Sequence, residues 1–306
     1  YQELVNALIY FVSGGVEEGT VRLYTGTEDV EPFLAGACLE VVQEDPLGAY
    51  CVEFIKYTVD PVVTYSEARV NITYRRTREQ VASIVQATGA TAIRGELETA
   101  LASFAPERVL RISYFEQDEG FIQNLARQAY YDAPACALGM PEVSVFIYPN
   151  SGRQRIVEIL LDYSQEPQEL EKRQAELMQT LEELAWDLTG QPDLPSSTAK
   201  ALLELGEYDP QGEACVDSLF TQECANSEGL ALTYAALCQQ LNLPCHVAQG
   251  TLEDTTCFWN VVQTEAGWRH IDLSAMDGRE IPLYTDLEFW ELGYSWDETT
   301  LPSCTE

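Results

Sequence analysis

Between residues 224 and 273 the chain reads, without a break, as a loop, an apolar helix and three strands, and that order limits the folds open to it. The loop is Cys224-Ala-Asn-Ser227. The run from Gly229 to Cys238 reads as an apolar helix. Pro244 cannot continue the helix and opens a strand at Cys245-His246-Val247. Two more strands follow, Cys257 to Val262 and Gly267 to Leu273, joined by Gln-Thr-Glu-Ala. Alternation places Cys257 with Trp259 on one face, and His270 with Asp272 on the matching kind of face of the next strand. The pattern predicts a helix packed on an antiparallel sheet. Ser227 stands at or near its first turn, where free backbone N–H groups and the macrodipole favour a nucleophile, and Gly229 allows close packing.

The rest of the chain supplies mixed signals and no fixed repeat, which excludes a solenoid or propeller. Helical spacing runs over 28–43 with Thr27 as N-cap, closed by an Asp45-Pro-Leu-Gly48 turn. Strands are expected at 50–57, 68–74, 108–115, 142–148 and 154–162, and helices from 77, over 92–103 and over 118–130. The longest amphipathic pattern covers 165–189, and Gly190 to Pro195 breaks it before Ser196-Ser197 caps a helix over 198–205. The fold class is α+β. Two domains are expected: 1–163, an α+β domain with no glycine-rich phosphate loop and no histidine, and 164–306, with 224–273 as its core.

The second part resembles the transglutaminase-like (papain-like) superfamily, over roughly the last 110 residues and most closely over 224–273. That family's pattern is a Cys-x-Gly-aromatic-Ala helix start, a Gly-(Ile/Val)-Pro strand entry, a His-x-Trp-Asn-x-Val strand and a Trp-x-x-x-Asp strand. Matching positions here are Gly229, Ala231, Pro244, Gly250, Trp259, Asn260, Val262, Trp268 and Asp272. Tyr208-Asp209 and Ala214 to Leu219 resemble the segment before the nucleophile. The resemblance implies thiol-based acyl transfer or amide hydrolysis by a Cys-His-Asp triad. The triad positions are occupied by Ser227, Cys257 and Asp272.

Two of those three residues differ from the family's, and chemistry makes the difference matter. A serine hydroxyl needs a positioned base, and a neutral thiol at 257 cannot accept its proton. A carboxylate beside Cys257 raises the thiol pKa. Two rescues are open: His270, about 6.5–7 Å along the strand from Asp272, as a base, and Cys224 as a displaced nucleophile. Against them stand a partly exposed strand histidine and a disulfide from Cys224 to Cys215 or a neighbour. Trp259 and Trp268 read either as core or as aromatic cleft walls, and the acidic stretch 286–298 with Phe289, Trp290, Tyr294 and Trp296 as a second aromatic patch or a closing segment.

Composition narrows the partners. Fifty acidic residues against 17 basic ones give a net charge of −33, which removes the electrostatic term for nucleic acid and for anionic membranes. Nine cysteines without a CxxC pair, and only two histidines, argue against a metal centre. Cys238 and Cys245 read as buried or bridged. The cysteine content, a first residue other than Met and the lack of a membrane-length apolar run lead to the expectation of an exported bacterial protein of the cell envelope. The expected function is non-catalytic binding or scaffolding of a peptide or cell-wall polymer without a cofactor; the alternative is an amide hydrolase or acyl transferase with an atypical nucleophile.

Overall fold

The computed structural model describes residues 1–24 and 29–306, so the expected Thr27 cap lies outside the described residues. The chain is α+β and divides into two compact units, the first made of 1–96, 107–125 and 143–161, the second of 97–106, 126–142 and 162–306. The last crossing falls beside the boundary read at 163/164. The other two excursions, each ending one helix in the opposite unit from its start, carry no compositional mark.

In the first unit α1 (Gln2–Ser13) presents Leu4, Val5, Leu8 and Val12 at helical spacing, and they bury against Leu34, Ala37, Cys38 and Val41 of α2 (Glu31–Gln43). Strand β1 (Glu18–Leu23) precedes α2. After it come the short α3 (Pro46–Cys51) and the long antiparallel pair β2 (Val52–Val62) and β3 (Tyr65–Tyr74), giving the sheet order β1-β3-β2. Ala68, Val70 and Ile72 of β3 face the core. Their neighbours Arg69 and Asn71 align with Thr20 and Glu18 of β1 on the polar face.

Asp45-Pro46, which reads as a turn, is instead the N-cap and first residue of α3: Asp45 accepts from the Gly48 N–H at 2.8 Å and Pro46 supplies a preset φ. Helix α4 (Arg78–Ala82) starts at a capping box formed by Thr77 and Gln80. A second sheet, β4-β5-β7-β6, contains β4 (Val85–Gln86), β5 (Glu107–Ile112), β6 (Glu142–Tyr148) and β7 (Arg155–Asp162), with Leu110 paired to Val157. Between its strands run α5 (Ala90–Ala102) and α6 (Glu119–Asp132). The chain's densest basic run, Arg75-Arg76-Thr77-Arg78, is spent internally. Arg75 donates to the carbonyls of Ala49 and Tyr50, Arg76 pairs with the buried Glu158 at 3.0 Å, and Arg78 donates to the Gly15 carbonyl.

In the second unit α7 (Pro167–Leu188) buries Leu170, Leu177, Leu181, Ala185 and Leu188. Next comes α8 (Leu194–Leu203), which starts earlier than Ser196-Ser197 suggests, because Pro195 lies in its first turn, where its missing N–H costs nothing. After β8 (Glu207–Tyr208), α9 (Ser218–Gln222) and β9 (Cys224–Ala225) the chain enters α10 (Ser227–Gln240). Every residue of α10 from Gly229 to Cys238 is buried, as its all-round apolar character requires. It is surrounded by α7, α8, α9 and the antiparallel strands β10 (Cys245–Leu252) and β11 (Thr255–Thr264), the latter paired in turn with β12 (Gly267–Ile271). The closing segment adds α11 (Asp286–Glu291) and β13 (Tyr294–Trp296), and the sheet order is β12-β11-β10-β13. One face of this sheet meets α10, with Asn260 Nδ2 donating to the Ala231 carbonyl at 2.9 Å. The other buries Ala248, Trp259 and Val261 against Phe289, Tyr294 and Cys304. Gly250 lets the strands close up, since a Cβ there would overlap the Ser295 carbonyl and sit 2.5 Å from the Trp259 ring. No helix among the described residues is long and apolar enough to cross a membrane.

Gly48 is a steric requirement of the first unit: a Cβ at that position would run into the Val41 carbonyl oxygen and lie 3.0 Å from Val41 Cγ1. Gly48→Ala is expected to cost about 1–3 kcal/mol, read as a lower midpoint in urea denaturation; an unchanged midpoint contradicts this packing.

Candidate functional site

The site grows from the start of α10. Asn226 is the N-cap, and its side chain accepts from the Gly229 N–H at 2.9 Å. Ser227 is therefore the first helical residue, as the sequence suggests. Gly229 must stay small, because a Cβ there would come within 2.8 Å of the Glu213 carbonyl oxygen and 3.0 Å of Ala225 Cβ. Ser227 Oγ accepts a hydrogen bond from the Phe258 N–H of β11 at 3.3 Å, which seats it beside Cys257, the preceding residue. The half-buried Cys257 thiol is pushed up to about 12, by burial first and then by the Asp272 carboxyl. Thus Ser227, Cys257 and Asp272 share one corner of the fold.

Asp272 is buried and fully engaged. Its Oδ1 accepts from the Ser274 N–H at 2.9 Å and the Ser274 hydroxyl at 2.6 Å, and its Oδ2 accepts from the Tyr294 hydroxyl at 2.6 Å. Burial raises its pKa above the ordinary carboxylate range, and those hydrogen bonds oppose the rise without cancelling it. Beside Ser227, Glu228 accepts from the Tyr131 hydroxyl at 2.8 Å; burial raises this carboxyl too. The Tyr131 and Phe258 rings meet at 5.7 Å. The Tyr131–Glu228 and Tyr294–Asp272 pairs escape sequence reasoning, although Tyr294 reads as part of the aromatic stretch, because each tyrosine lies far along the chain from the acid it touches.

His270 is placed differently from both expectations. It is 0% exposed, not partly exposed, and both ring nitrogens are engaged by residues other than those at the triad positions. Nδ1 accepts from the Trp259 indole N–H at 3.0 Å, so the proton sits on Nε2, which donates to Asp286 Oδ1 at 2.7 Å. The ring stacks on Phe289 at 4.5 Å. Burial holds its pKa below the usual histidine value, against the partial pull of Asp286. Trp259, at 1% exposure, is likewise core and offers a ligand no face. Both corrections have one cause: the closing segment 284–304 covers this face of the sheet. Of the proposed cleft residues, Trp268 stays partly exposed, its ring 5.3 Å from His246, and Cys224 pairs on β9 with Glu207 of β8. The structure holds all nine cysteines in the reduced form, so the expected bridge from Cys224 to Cys215 or a neighbour is not formed in it. The second histidine, His246, lies three residues along β10 from Gln249, the partner of Phe258, which is about 10 Å.

His270, Asp286 and Cys304 bring one potential metal-ligand atom each within 4.8 Å of one another. The donor set does not fit a cation. Ligation through Nε2 would move the imidazole proton to Nδ1, where it would face the Trp259 N–H donor head-on. The Cys304 thiol is also held up at about 12, by burial and then by Asp286.

No protein-family model matches the chain, and no match is found among curated proteins. Among solved structures, a TGase aligns with 14% identity and a TM-score of 0.32, over 96% of this chain and 83% of its own. A "putative cysteine protease" from Cytophaga hutchinsonii aligns with 12% identity and a TM-score of 0.29, over 47% and 65%. A "putative protease" from Parabacteroides distasonis gives 6% identity and a TM-score of 0.24, over 88% and 65%. At these TM-scores the likeness supports nothing about this chain's chemistry, which rests on its own residues.

The buried imidazole carries a pH consequence. His270 takes up a proton less readily in the folded state than in the unfolded chain, so its contribution is complete above about pH 6.5 and is lost as pH falls below that. Urea midpoints at pH 7.5 and 5.5 should show the wild type losing stability relative to His270→Gln on acidification. Parallel profiles would remove the imidazole from this role.

Proposed function

We propose that the second unit is a catalytically silent transglutaminase-like module that binds, without processing, a peptide or cell-wall polymer at a bacterial cell envelope. One observation carries the reading: His270 spends both ring nitrogens on Trp259 and Asp286. The sequence holds only one other histidine, and the β10 register sets it well away from Ser227. Ser227 is thus left without an imidazole to take its proton, and such a base contributes about two to four powers of ten in rate. Cys257, at about 12, holds a negligible thiolate fraction near neutral pH.

The partly exposed Ser227, Cys257 and Phe258 are the surface left for a ligand at the triad positions. The second unit holds only six of the 17 cations, Arg127, Lys172, Arg173, Lys200, Arg269 and Arg279, which favours a ligand carrying ammonium or guanidinium groups. Nine cysteines are compatible with an oxidising compartment, where the envelope location places the protein.

The test compares the wild type with Ser227→Cys/Cys257→His on peptide amides, with and without a primary-amine acceptor. The wild type should give no turnover above background, and iodoacetamide should label Cys257 at pH 7.5 at least ~100-fold more slowly than an unperturbed thiol. Turnover in the wild type that Ser227→Ala abolishes would establish the amide hydrolase reading instead. Turnover gained only by the double variant would mean that the site still admits an amide.

A further inference from the structure

Independently of that reading, we propose that Cys238 and Cys245 form an intramolecular disulfide, a covalent staple between the end of the Ser227 helix and the first residue of the sheet. Cys238 lies in the last turn of α10, and its carbonyl accepts from the Leu241 N–H at 3.1 Å and the Leu243 N–H at 2.9 Å. These bonds, with Asn242 at φ 53° and Pro244 after it, fold the chain back so that Cys245 opens β10 against the helix it has just left. The result is that the two thiols meet side chain to side chain. Cys238 also contacts the phenol of Tyr234, one turn earlier, whose hydroxyl donates to the Pro195 carbonyl at 2.9 Å, and Asn260 of β11 reaches the Cys245 thiol. Four elements therefore hold the pair in place.

Other thiols are held by different partners: Cys136 by the Gln174 amide at 2.8 Å, Cys215 by the Arg173 guanidinium, and Cys304 against the Pro302 carbonyl. The 238/245 pair differs from them in that each sulfur faces another sulfur. Both sulfurs are enclosed, but residue Cys245 reaches the surface while Cys238 is 0% exposed. That difference sets the order of events with a small-molecule disulfide such as oxidised glutathione. Cys245 loses its proton and attacks one glutathione sulfur, releasing one glutathione thiol and leaving a mixed disulfide. Cys238 then loses its proton and attacks the Cys245 sulfur, releasing the second glutathione thiol. One S–S bond of the oxidant is broken and one is formed in the protein, and two thiol hydrogens pass to glutathione. Burial raises the Cys245 thiol far above its ordinary pKa, so the exchange is slow in both directions, and the bond once formed resists reduction.

The experiment equilibrates the full-length chain in reduced or oxidised glutathione, alkylates it in denaturant and digests it after glutamate. The peptide Gly229–Glu253 contains both cysteines and no others. In the oxidised sample it should carry no alkyl group and be lighter by two hydrogens, and the Tm should rise by several degrees over the reduced sample. Cys245→Ala, a change at a partly exposed position, should abolish both the mass change and the Tm difference. Cys238→Ser should do the same if Cys245→Ala fails to fold. Full alkylation of both residues after oxidation, a stable glutathione adduct on Cys245, or a link from either residue to a different cysteine overturns the proposal.

Discussion

The line of hydrogen bonds from the Trp259 indole through the His270 ring to Asp286 decides more about the second unit than any other interaction. It continues into the backbone, because Asp286 Oδ2 accepts from the Cys304 N–H at 3.1 Å. Through it β11, β12 and the closing segment are joined across a face otherwise sealed by Phe289, Tyr294 and Trp296. Every member is a polar group that would cost about 1–3 kcal/mol if left buried and unpaired. The same line fixes the tautomer. A base must cycle between neutral and protonated forms, and a second proton on His270 would have to displace the indole donor from Nδ1. The histidine nearest the triad positions is therefore a strut, and the chemistry open to Ser227 follows from that.

Each triad position has a structural duty that does not need catalysis. Asp272 begins the short helical turn Leu273–Ala275 and satisfies the buried Tyr294 hydroxyl. Ser227 ties the start of α10 to the backbone of β11. Cys257 fills a half-buried place beside Asp272, where a neutral thiol is tolerated and an ionised one is not. An imidazole at 257 would find the carboxylate oxygens already occupied by Ser274 and Tyr294, so restoring a histidine there also asks those partners to move.

What the sequence made legible follows the range of the interactions. The α10 helix, its start at Ser227, the packing need at Gly229 and the strands at 142–148 and 257–262 come from periodicity and neighbouring residues, and these hold up in the structure. Proline misled twice for one reason: Asp45-Pro46 and Pro195 look like breaks, yet the first turn of a helix accepts proline. The site was legible as positions and not as contacts. Trp259 and His270 alternate as a strand face should, but which face is covered depends on a segment that returns only after residue 284. Tyr131 reaches Glu228 from 97 residues away, a pairing that no local pattern encodes.

On the proposed reading, the charge of the second unit would guide a ligand by attraction. Of the unit's six cations, Arg173 makes a two-point pair with Asp217 at 2.8 and 3.0 Å, and Arg269 donates to the carbonyls of Trp268 and Thr305. Few are left to offset the surface carboxylates, and such a field attracts cationic groups while repelling anionic polymers. The attraction acts over about 8 Å at physiological ionic strength, so it guides approach but does not hold a ligand by itself. On the proposed reading, retention would fall to short-range contacts around Ser227, where Phe258 is partly exposed and Glu228 is masked by Tyr131. A ligand with positive groups flanking an apolar or amide-rich segment satisfies both demands, whereas an anionic polymer satisfies neither.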